Sequence, residues 1–501
     1  MKRCTRCPAV LLAEVMARLQ DITPFPVPPS WRAAAQMDVR SITADSRTAG
    51  PGALFVAIPG SKTDGRQFIA DAVGRGACLV LAPPGTEWPP GVPPRPMIED
   101  PEPRRALALL ASVLAGPQPR VIAAVTGTNG KTSTVEFLRQ LWALTARPAA
   151  SIGTLGVIAP GHAGGSGLTT PDPVVLAATL ATLARDGVQH AAIEASSHGL
   201  DQFRLDGLHL AAAAFTNLTR DHLDYHGSME AYRAAKLRLF ASLLPAGSVA
   251  VASTELDGAT LDALRAIATQ RKLDLRSVGD DGSFLRLLSA TPLPDGQALE
   301  ILHAGQRRTL EVALPGRFQA ENLLTAAALA MATGVPDALS RLPGLTGVRG
   351  RMERAAVLAN GAAVYVDYAH TPDALERLLA ALRPHTQGRL HVVFGAGGDR
   401  DPGKRPMMGA VAARLADVAI VTDDNPRSED PAAIRAAVLA GCTGGIAIDG
   451  REAAIAAALN NLGPGDVLAV AGKGHEQGQT IGSTVLPFDD VSVIRRLAGA
   501  A

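Results

Sequence analysis

In the N-terminal half, the apolar run Val121-Ile122-Ala123-Ala124-Val125 gives way to Thr126-Gly127-Thr128-Asn129-Gly130-Lys131-Thr132-Ser133. Small residues at a strand-to-helix turn let backbone N–H groups close around phosphate oxygens, and the N-terminus of the following helix adds partial positive charge. Lys131 supplies a full charge and Thr132 a hydroxyl able to ligate Mg²⁺, so the segment predicts that ATP or GTP drives the reaction. The spacing departs from G-x-x-x-x-G-K-[ST]: Val125 stands where the first glycine belongs, and the loop begins at Gly127. Context favours the phosphate reading, because Val135, Leu138, Leu141 and Trp142 fall on one apolar face of the next helix. An ordinary strand-to-helix turn with a surface lysine is the alternative.

Two more strand ends carry polar groups of the right kind. Ala191-Ala192-Ile193 terminates in Glu194, followed by Ala195-Ser196-Ser197-His198-Gly199-Leu200; an acidic residue there can bind Mg²⁺ directly or through water. Phe215-Thr216-Asn217 leads into a dense polar loop that contains Asp221, His222, Asp224, Tyr225 and His226. Singly, each is a hydrogen-bonded loop residue as readily as a ligand. At successive strand ends of one nucleotide domain, they make a candidate metal and phosphate site.

The elements that must position these residues follow from periodicity. Up to about Pro117, short strands (54–58, 78–81) alternate with proline-rich connections, which predicts a small α/β domain. From Val121, strands at 191–194, 212–216 and 249–252 alternate with helices at 174–185 and 229–244, the pattern of a mostly parallel sheet flanked by helices. Between Phe284 and Leu314, turns at Asp295-Gly296 and Ala304-Gly305 predict an antiparallel addition, followed by a helix over 319–333. Glycines between 344 and 350 mark a boundary. Beyond it, strands 363–367, 390–394, 418–421, 446–448 and 467–470 alternate with helices 372–382, 405–415, 431–439 and 451–462, which predicts a doubly wound, Rossmann-like fold with ligands at the carboxyl ends of its strands. The expectation is an α/β protein of three domains: 1–118, a central P-loop-type ATPase domain at 119–347, and 348–501.

Composition narrows the class. With 48 Lys and Arg against 47 Asp and Glu, the net charge of +1 offers no electrostatic case for nucleic acid or an anionic membrane as a partner. Four cysteines are too few for a disulfide framework, which fits a reducing compartment. Cys4-x-x-Cys7 lacks a second pair at zinc-site spacing. Glu14 and Arg18 interrupt the apolar stretch that begins at Val10, so the N-terminus does not read as a signal peptide. A cytoplasmic protein is expected, and a monomer, since no coiled-coil seam is evident.

The motifs together resemble the Mur ligases of peptidoglycan synthesis. The matching segments are Thr126 to Thr132, Glu194 to Leu200, Thr216 to Gly227, Asp367-Tyr-Ala-His-Thr-Pro-Asp373, Gly397-Gly-Asp-Arg-Asp-Pro-Gly-Lys-Arg405, Asp423-Asp-Asn-Pro-Arg427 and Gly472-Lys-Gly-His-Glu476, in the expected order across nearly the whole chain. Within that family they look like the members that add meso-diaminopimelate to the D-glutamate of UDP-N-acetylmuramoyl-L-alanyl-D-glutamate. The resemblance implies that the first domain takes the UDP end, the second ATP and the third the amino acid. ATP would convert the γ-carboxylate to an acyl phosphate, which the amine attacks.

Residue roles follow by the same resemblance. Gly127, Thr128, Asn129, Gly130, Lys131, Thr132 and Ser133 would cradle the phosphates, while Asn322, Arg351, Asp367 and His370 would meet the nucleotide. Lys131, Glu194, His222 and Lys236 would carry catalysis, with Thr132, Glu194, His222 and Lys236 holding two Mg²⁺ ions. Lys236 reads from sequence as a solvated helix lysine; the family implies that it is carbamylated, turning a cation into a metal-binding carboxylate. Ser46 and the Ser61-Lys62-Thr63 loop match the uridine end, and Thr169, Thr170, Ser196, Gln202 and Arg204 the muramoyl peptide. Leu168 departs from the asparagine that related chains often place before Thr-Thr. Arg400, Asp424, Asn425, Pro426, Arg427, Gly472 and Glu476 would select the amino acid.

Arg427 is the specificity marker. Diaminopimelate differs from lysine by a distal carboxylate, which a guanidinium can pair bidentately. A lysine substrate would leave a buried arginine unpaired, and rejection of that kind reaches roughly 10⁴-fold. Three rivals stay open: a lysine-adding relative, a folylpolyglutamate synthase sharing the architecture, and a nucleotide switch that makes no bond.

Overall fold

Three buried parallel strands form the centre of the nucleotide region in the computed structural model, which describes residues 10–22, 29–60, 63–164, 168–293 and 295–499. Cys4, Cys7, Ser61 and Lys62 lie outside the described residues. Val121–Thr126 is flanked by His190–Glu194 on one side and Leu210–Phe215 on the other, in register so that Glu194 pairs with Val125 and Phe215 with Thr126. Ala149–Gly153 extends the sheet in parallel, and Gly156–Ala159 and His162–Gly164 close that edge antiparallel. Strands covered on both faces read as continuous apolar runs, which is why these were visible in the sequence. The parallel register also brings the carboxyl ends of the central strands, and the loops that leave them, to one edge.

By internal contacts the chain divides into two units, Met1–Lys131 with Thr145–Val251 and Leu256–Leu275, and Thr132–Leu144 with Ala252–Glu255 and Arg276–Ala501. The first also holds a parallel four-stranded sheet, Ser41–Thr43, Ala53–Val56, Ala77–Ala82 and Met97–Glu99, with a core that includes Leu54, Leu79, Leu107 and Leu110. Val10–Leu11 is a strand paired antiparallel with Asp38–Val39, and it runs directly into the helix Leu12–Ile22.

In the second unit, Leu285–Leu293, Gly296–His303 and Gln306–Val312 form an antiparallel meander. Its second turn puts Ala304 at φ 49° and Gly305 at φ 78°, the two positive φ values that a tight hairpin turn requires. The C-terminal sheet runs in the order Glu353–Val357, Ala363–Asp367, Val467–Ala471, Leu390–Phe394, Val418–Val421, Ile446–Ala447, all parallel except the first strand. Separate apolar clusters, one around Leu378 and Met408 and one around Ile455 and Ile494, cover its two faces.

Departures from expectation are local. The helix predicted over 229–244 is α-helical only at Met229–Arg238 and continues as a π-turn over Leu239–Leu243. The helix predicted to reach Leu462 ends at Asn460. The antiparallel edge strand, the hairpin Gly478–Ile481/Thr484–Pro487 and the helix Asp490–Leu497 were not anticipated, since short strands carry little periodicity. Among the described residues no helix is long and apolar enough to cross a membrane.

Candidate functional site: a strapped phosphate loop and an amino-acid cluster

Gly127 begins the loop at φ 147°, and a Cβ there would lie 1.9 Å from Thr216 Oγ1, so both conformation and space demand glycine. Gly130 also has positive φ, at 85°. The end of the neighbouring strand straps the loop in place. Thr216 Oγ1 donates to Asn129 O at 2.6 Å, Asn129 N to Asn217 Oδ1 at 2.9 Å and Thr219 N to Thr128 Oγ1 at 2.9 Å. Lys131 folds back so that Nζ donates to Gly127 O at 2.9 Å and Thr128 O at 2.8 Å. Thr132 and Ser133, both buried, open the helix Lys131–Ala143.

Lys236 is buried, not solvated as its helix position suggested: its exposure is 1%. Its Nζ donates to Gly127 O at 2.7 Å and stands 4.6 Å from the centre of the Tyr232 ring. Burial and the charge of Lys131 push its pKa well below the ordinary lysine value, against the opposing pull of Asp221. The side chain is therefore biased toward the neutral amine. Tyr232 in turn places its hydroxyl 3.2 Å from Thr128 Oγ1.

Glu194, 1% exposed, accepts from Thr154 N at 2.8 Å and Thr154 Oγ1 at 3.1 Å. Around it the predicted peptide-binding residues converge. Thr169 Oγ1 lies 3.2 Å from Thr154 Oγ1, Thr170 Oγ1 donates to Glu194 O at 2.8 Å, and Ser196 Oγ lies 2.9 Å from Thr170 Oγ1. Arg204 reaches Thr170 O and Gln202 Oε1, each at 2.7 Å, and Gln202 Nε2 donates to Tyr225 OH at 3.1 Å. Leu168, the departure from the family pattern, is exposed.

His222 takes a left-handed backbone at φ 53° and sits edge-on to His198, ring centres 4.9 Å apart. Desolvation by its neighbours holds its pKa below the ordinary histidine value despite Asp221, with the ammonium of Lys131 acting in the same direction. A neutral imidazole is the form that can ligate a metal. Among the described residues no group of three His, Cys, Asp or Glu side chains is gathered closely enough to hold a metal ion by itself. Ser46, at the uridine end by resemblance, is buried in the turn Ser46–Thr48, which Asp45 caps through Arg47 N.

In the second unit, Arg351 Nη2 donates to Thr132 Oγ1 at 3.2 Å, and its guanidinium lies 4.7 Å from the Tyr368 ring centre. Asn322 Oδ1 is 3.5 Å from Thr134 Oγ1, and its Nδ2 donates to Gln319 Oε1 at 3.0 Å. Asp367 accepts from Met352 N at 2.7 Å and Ala369 N at 2.8 Å, so its carboxylate shapes the backbone that carries Arg351 and His370. Burial raises its pKa and lowers that of His370, whose Nδ1 lies 2.8 Å from Tyr368 O.

Asp424, Asn425 and Pro426 are buried side by side. Arg427 is half-buried, where the specificity argument took it as buried; its φ is 51°, and Nη1 donates to Gly398 O at 2.7 Å. Its guanidinium lies against buried Gly397 and Gly398, and Arg400 is exposed. Arg427 N donates to Thr480 O at 3.1 Å, and Gly482 N to Arg427 O at 2.7 Å, so the unanticipated hairpin grips this residue through its backbone. Asn425 Nδ2 donates to Glu476 Oε2 at 2.9 Å. Gly472, at φ 113°, leaves 3.6 Å between a notional Cβ and Asp424 Oδ2.

Several supporting residues had no assigned role in the sequence: Thr154, Thr216, Tyr232, Lys473, Gln479 and Thr480. Apart from the pairs Lys473–Glu476 and Tyr232–Lys236, their partners lie far away along the chain, so little local spacing marks them.

Known proteins match this chain along most of its length. The Mur ligase catalytic domain matches residues 38–113, the Mur ligase middle domain 125–330, and the Mur ligase glutamate ligase domain 350–474. A UDP-N-acetylmuramoyl-L-alanyl-D-glutamate--2,6-diaminopimelate ligase of Caulobacter vibrioides is 53% identical over 462 residues, covering 91% of this chain and 94% of that protein. A solved structure of a UDP-N-acetylmuramoyl-L-alanyl-D-glutamate--2,6-diaminopimelate ligase is 32% identical with a TM-score of 0.70, covering 98% of this chain and 99% of its own. A Mycobacterium tuberculosis folylpolyglutamate synthase, 19% identical with a TM-score of 0.62 over 79% of this chain and 95% of its own, shares the fold alone. Mur ligases are ATP-dependent enzymes that use Mg²⁺, and with identity sustained along nine-tenths of its length this chain belongs to the Mur ligase family.

Proposed function

We propose that the protein is the ATP-dependent ligase that joins meso-diaminopimelate to the D-glutamate of UDP-N-acetylmuramoyl-L-alanyl-D-glutamate in peptidoglycan precursor synthesis. The observation that carries this reading is the Asp424 to Arg427 segment, whose Asn425 is bonded directly to Glu476 and whose Arg427 is held by backbone on both sides. That cluster offers carboxylates for an ammonium and a guanidinium for a carboxylate, the two charges of an amino-acid end group. The high identity to a diaminopimelate ligase supports the same substrate.

In this reading the γ-carboxylate is activated as an acyl phosphate with release of ADP, and the amine then displaces phosphate. Gly127 to Ser133 hold the phosphates, and Asn322, Arg351, Asp367 and His370 meet or shape the nucleotide site. Thr132, Glu194, His222 and a carbamylated Lys236 would hold two Mg²⁺ ions, which would supply charge neutralisation for phosphoryl transfer. Carbamylation needs a neutral amine, the form toward which burial and Lys131 bias Lys236. Ser46 takes the uridine end; Thr169, Thr170, Ser196, Gln202 and Arg204 take the muramoyl peptide; Arg400, Asp424, Asn425, Pro426, Arg427, Gly472 and Glu476 take the diaminopimelate. The functional division is 1–118, 119–347 and 348–501, in a cytoplasmic monomer that acts without nucleic acid or membrane.

The test is to incubate pure protein with ATP, Mg²⁺ and the UDP-dipeptide, adding diaminopimelate or lysine, and to weigh the product. Mass gain by diaminopimelate alone is expected. Equal ligation of lysine, or ATP consumption without an acceptor, would overturn the reading.

A further inference from the structure

The Gly472 to Glu476 segment contains a residue that the proposed chemistry leaves unused. Lys473 has no exposed surface, yet its ammonium contacts three groups of the amino-acid cluster. Nζ donates to Glu476 Oε2 at 3.1 Å and Asn425 Oδ1 at 3.2 Å, and it stands 3.8 Å from Asp424 Oδ1. Asn425 Nδ2 donates to the same Glu476 oxygen at 2.9 Å, so lysine, amide and carboxylate close a triangle. Thr480 N donates to Asn425 Oδ1 at 2.9 Å and Gln479 Nε2 to Asp424 O at 2.7 Å, tying the triangle to the hairpin that grips Arg427.

Charge gives this geometry a consequence. Two carboxylates, buried Asp424 and partly exposed Glu476, flank Lys473. The nearby guanidinium of Arg451 is bonded to Asp490, with Nε to Oδ1 and Nη2 to Oδ2 each at 2.7 Å. Asp490 thus occupies Arg451, and Lys473 is the cation bonded to the Asn425 and Glu476 side chains. Asp424 Oδ1 is buried with no hydrogen-bond partner, an acceptor site still open.

We propose that Lys473 is a positioning and specificity-determining residue: its ammonium orients Glu476 and Asn425, so that the carboxylates of the cluster are held to select an amino acid bearing a second ammonium group. The proposal rests on the ligase reading above. In diaminopimelate one amine is the nucleophile and must be neutral to attack, so the distal ammonium is the group left for these carboxylates. Without Lys473, the Glu476 carboxylate and the Asn425 amide lose the donor that fixes them, and Asp424 loses a neighbouring cation.

The experiment compares wild type, Lys473→Met and Lys473→Arg in steady-state ligation, with diaminopimelate and with 2-aminopimelate, which lacks the distal amine. Lys473→Met is expected to raise KM for diaminopimelate about tenfold to a hundredfold, the scale of a lost hydrogen bond to a charged group. KM for ATP and for the UDP-dipeptide should stay within twofold, and preference for diaminopimelate over 2-aminopimelate should fall at least tenfold. Lys473→Arg, which keeps the charge, should recover part of that preference. A purely structural lysine would lower activity and melting temperature without moving the preference, and that result overturns the proposal. So does an arginine variant no more selective than the methionine one, a comparison that stands even if Lys473→Met folds poorly and is measured only by its residual soluble activity. Wild type that ligates diaminopimelate while the methionine variant keeps its KM sinks this inference alone; wild type that ligates none sinks the ligase reading as well.

Discussion

Lys131 and Lys236 donate to the same oxygen, the carbonyl of Gly127, at 2.9 and 2.7 Å. Two ammonium groups on one acceptor repel, and only Lys131 belongs to the loop proposed to bind phosphate. Lys236 sits deeper and gives way: burial and the charge of Lys131 both drive it toward the neutral amine. A neutral, buried amine against a phosphate cradle is the species that condenses with carbon dioxide, and the product carries a carboxylate that Mg²⁺ prefers.

Protein equilibrated with ¹³C-bicarbonate should therefore show a carbamate carbon resonance, and Lys236→Arg should lack it. Ligase activity of that variant should drop by about 10²-fold or more, on the scale of losing a transition-state charge stabiliser. A wild-type spectrum without the resonance would refute the modification.

Lys131→Ala removes the charge that the proposed mechanism sets on the transferring phosphoryl group. Turnover should fall roughly 10²- to 10³-fold while binding of the UDP-dipeptide, measured by calorimetry, changes little. Comparable loss of both would mean that the loop lysine supports the fold of the first unit rather than the chemistry.

Arg427→Ala deletes the half-buried guanidinium but keeps a residue on the strained left-handed turn. KM for diaminopimelate should rise about 10²-fold, and discrimination against lysine should shrink, with KM for ATP unaffected. An unchanged preference for diaminopimelate over lysine would remove Arg427 from the selectivity account.

Arg451 and Asp490 are both fully buried and bonded through two parallel contacts. Asp490→Asn leaves an uncompensated buried guanidinium, so chemical denaturation should show a loss of about 3–5 kcal/mol. A loss below about 1 kcal/mol would indicate that water or a second acidic group reaches the arginine.

Glu321 supplies a pH signature. Burial, with a hydrogen bond that its protonated form donates to Glu255 and the charge of Glu255, pushes its pKa from 4.5 up to about 9. A carboxyl whose folded pKa is raised stabilises the fold fully below about 4.5, and that contribution is lost as pH climbs toward about 9. Thermal midpoints of wild type should therefore decline across this window relative to Glu321→Gln, whose amide does not titrate. Parallel curves for the two proteins would show that Glu321 ionises normally.

Much of this was written in the sequence. The strands Ala363–Asp367, Leu390–Phe394 and Val418–Val421 fall where their apolar runs begin and end, since a strand buried on both faces needs no polar alternation and stops at the first loop-forming residue. Gly127 and Lys131 were legible because phosphate binding demands small residues and a charge within a few consecutive positions. Tertiary structure alone decided the environment of each group. Nothing near Lys236 in the chain reveals that its helix packs against Gly127, more than a hundred residues earlier, and so turns a surface-type lysine into a buried amine. Thr154 meets Glu194 across forty positions, and Lys473 meets Asn425 across forty-eight. Residue type and local spacing set what chemistry the chain can attempt; pKa, charge balance and ligand selectivity depend on distance and desolvation, which exist only once the strands are in register.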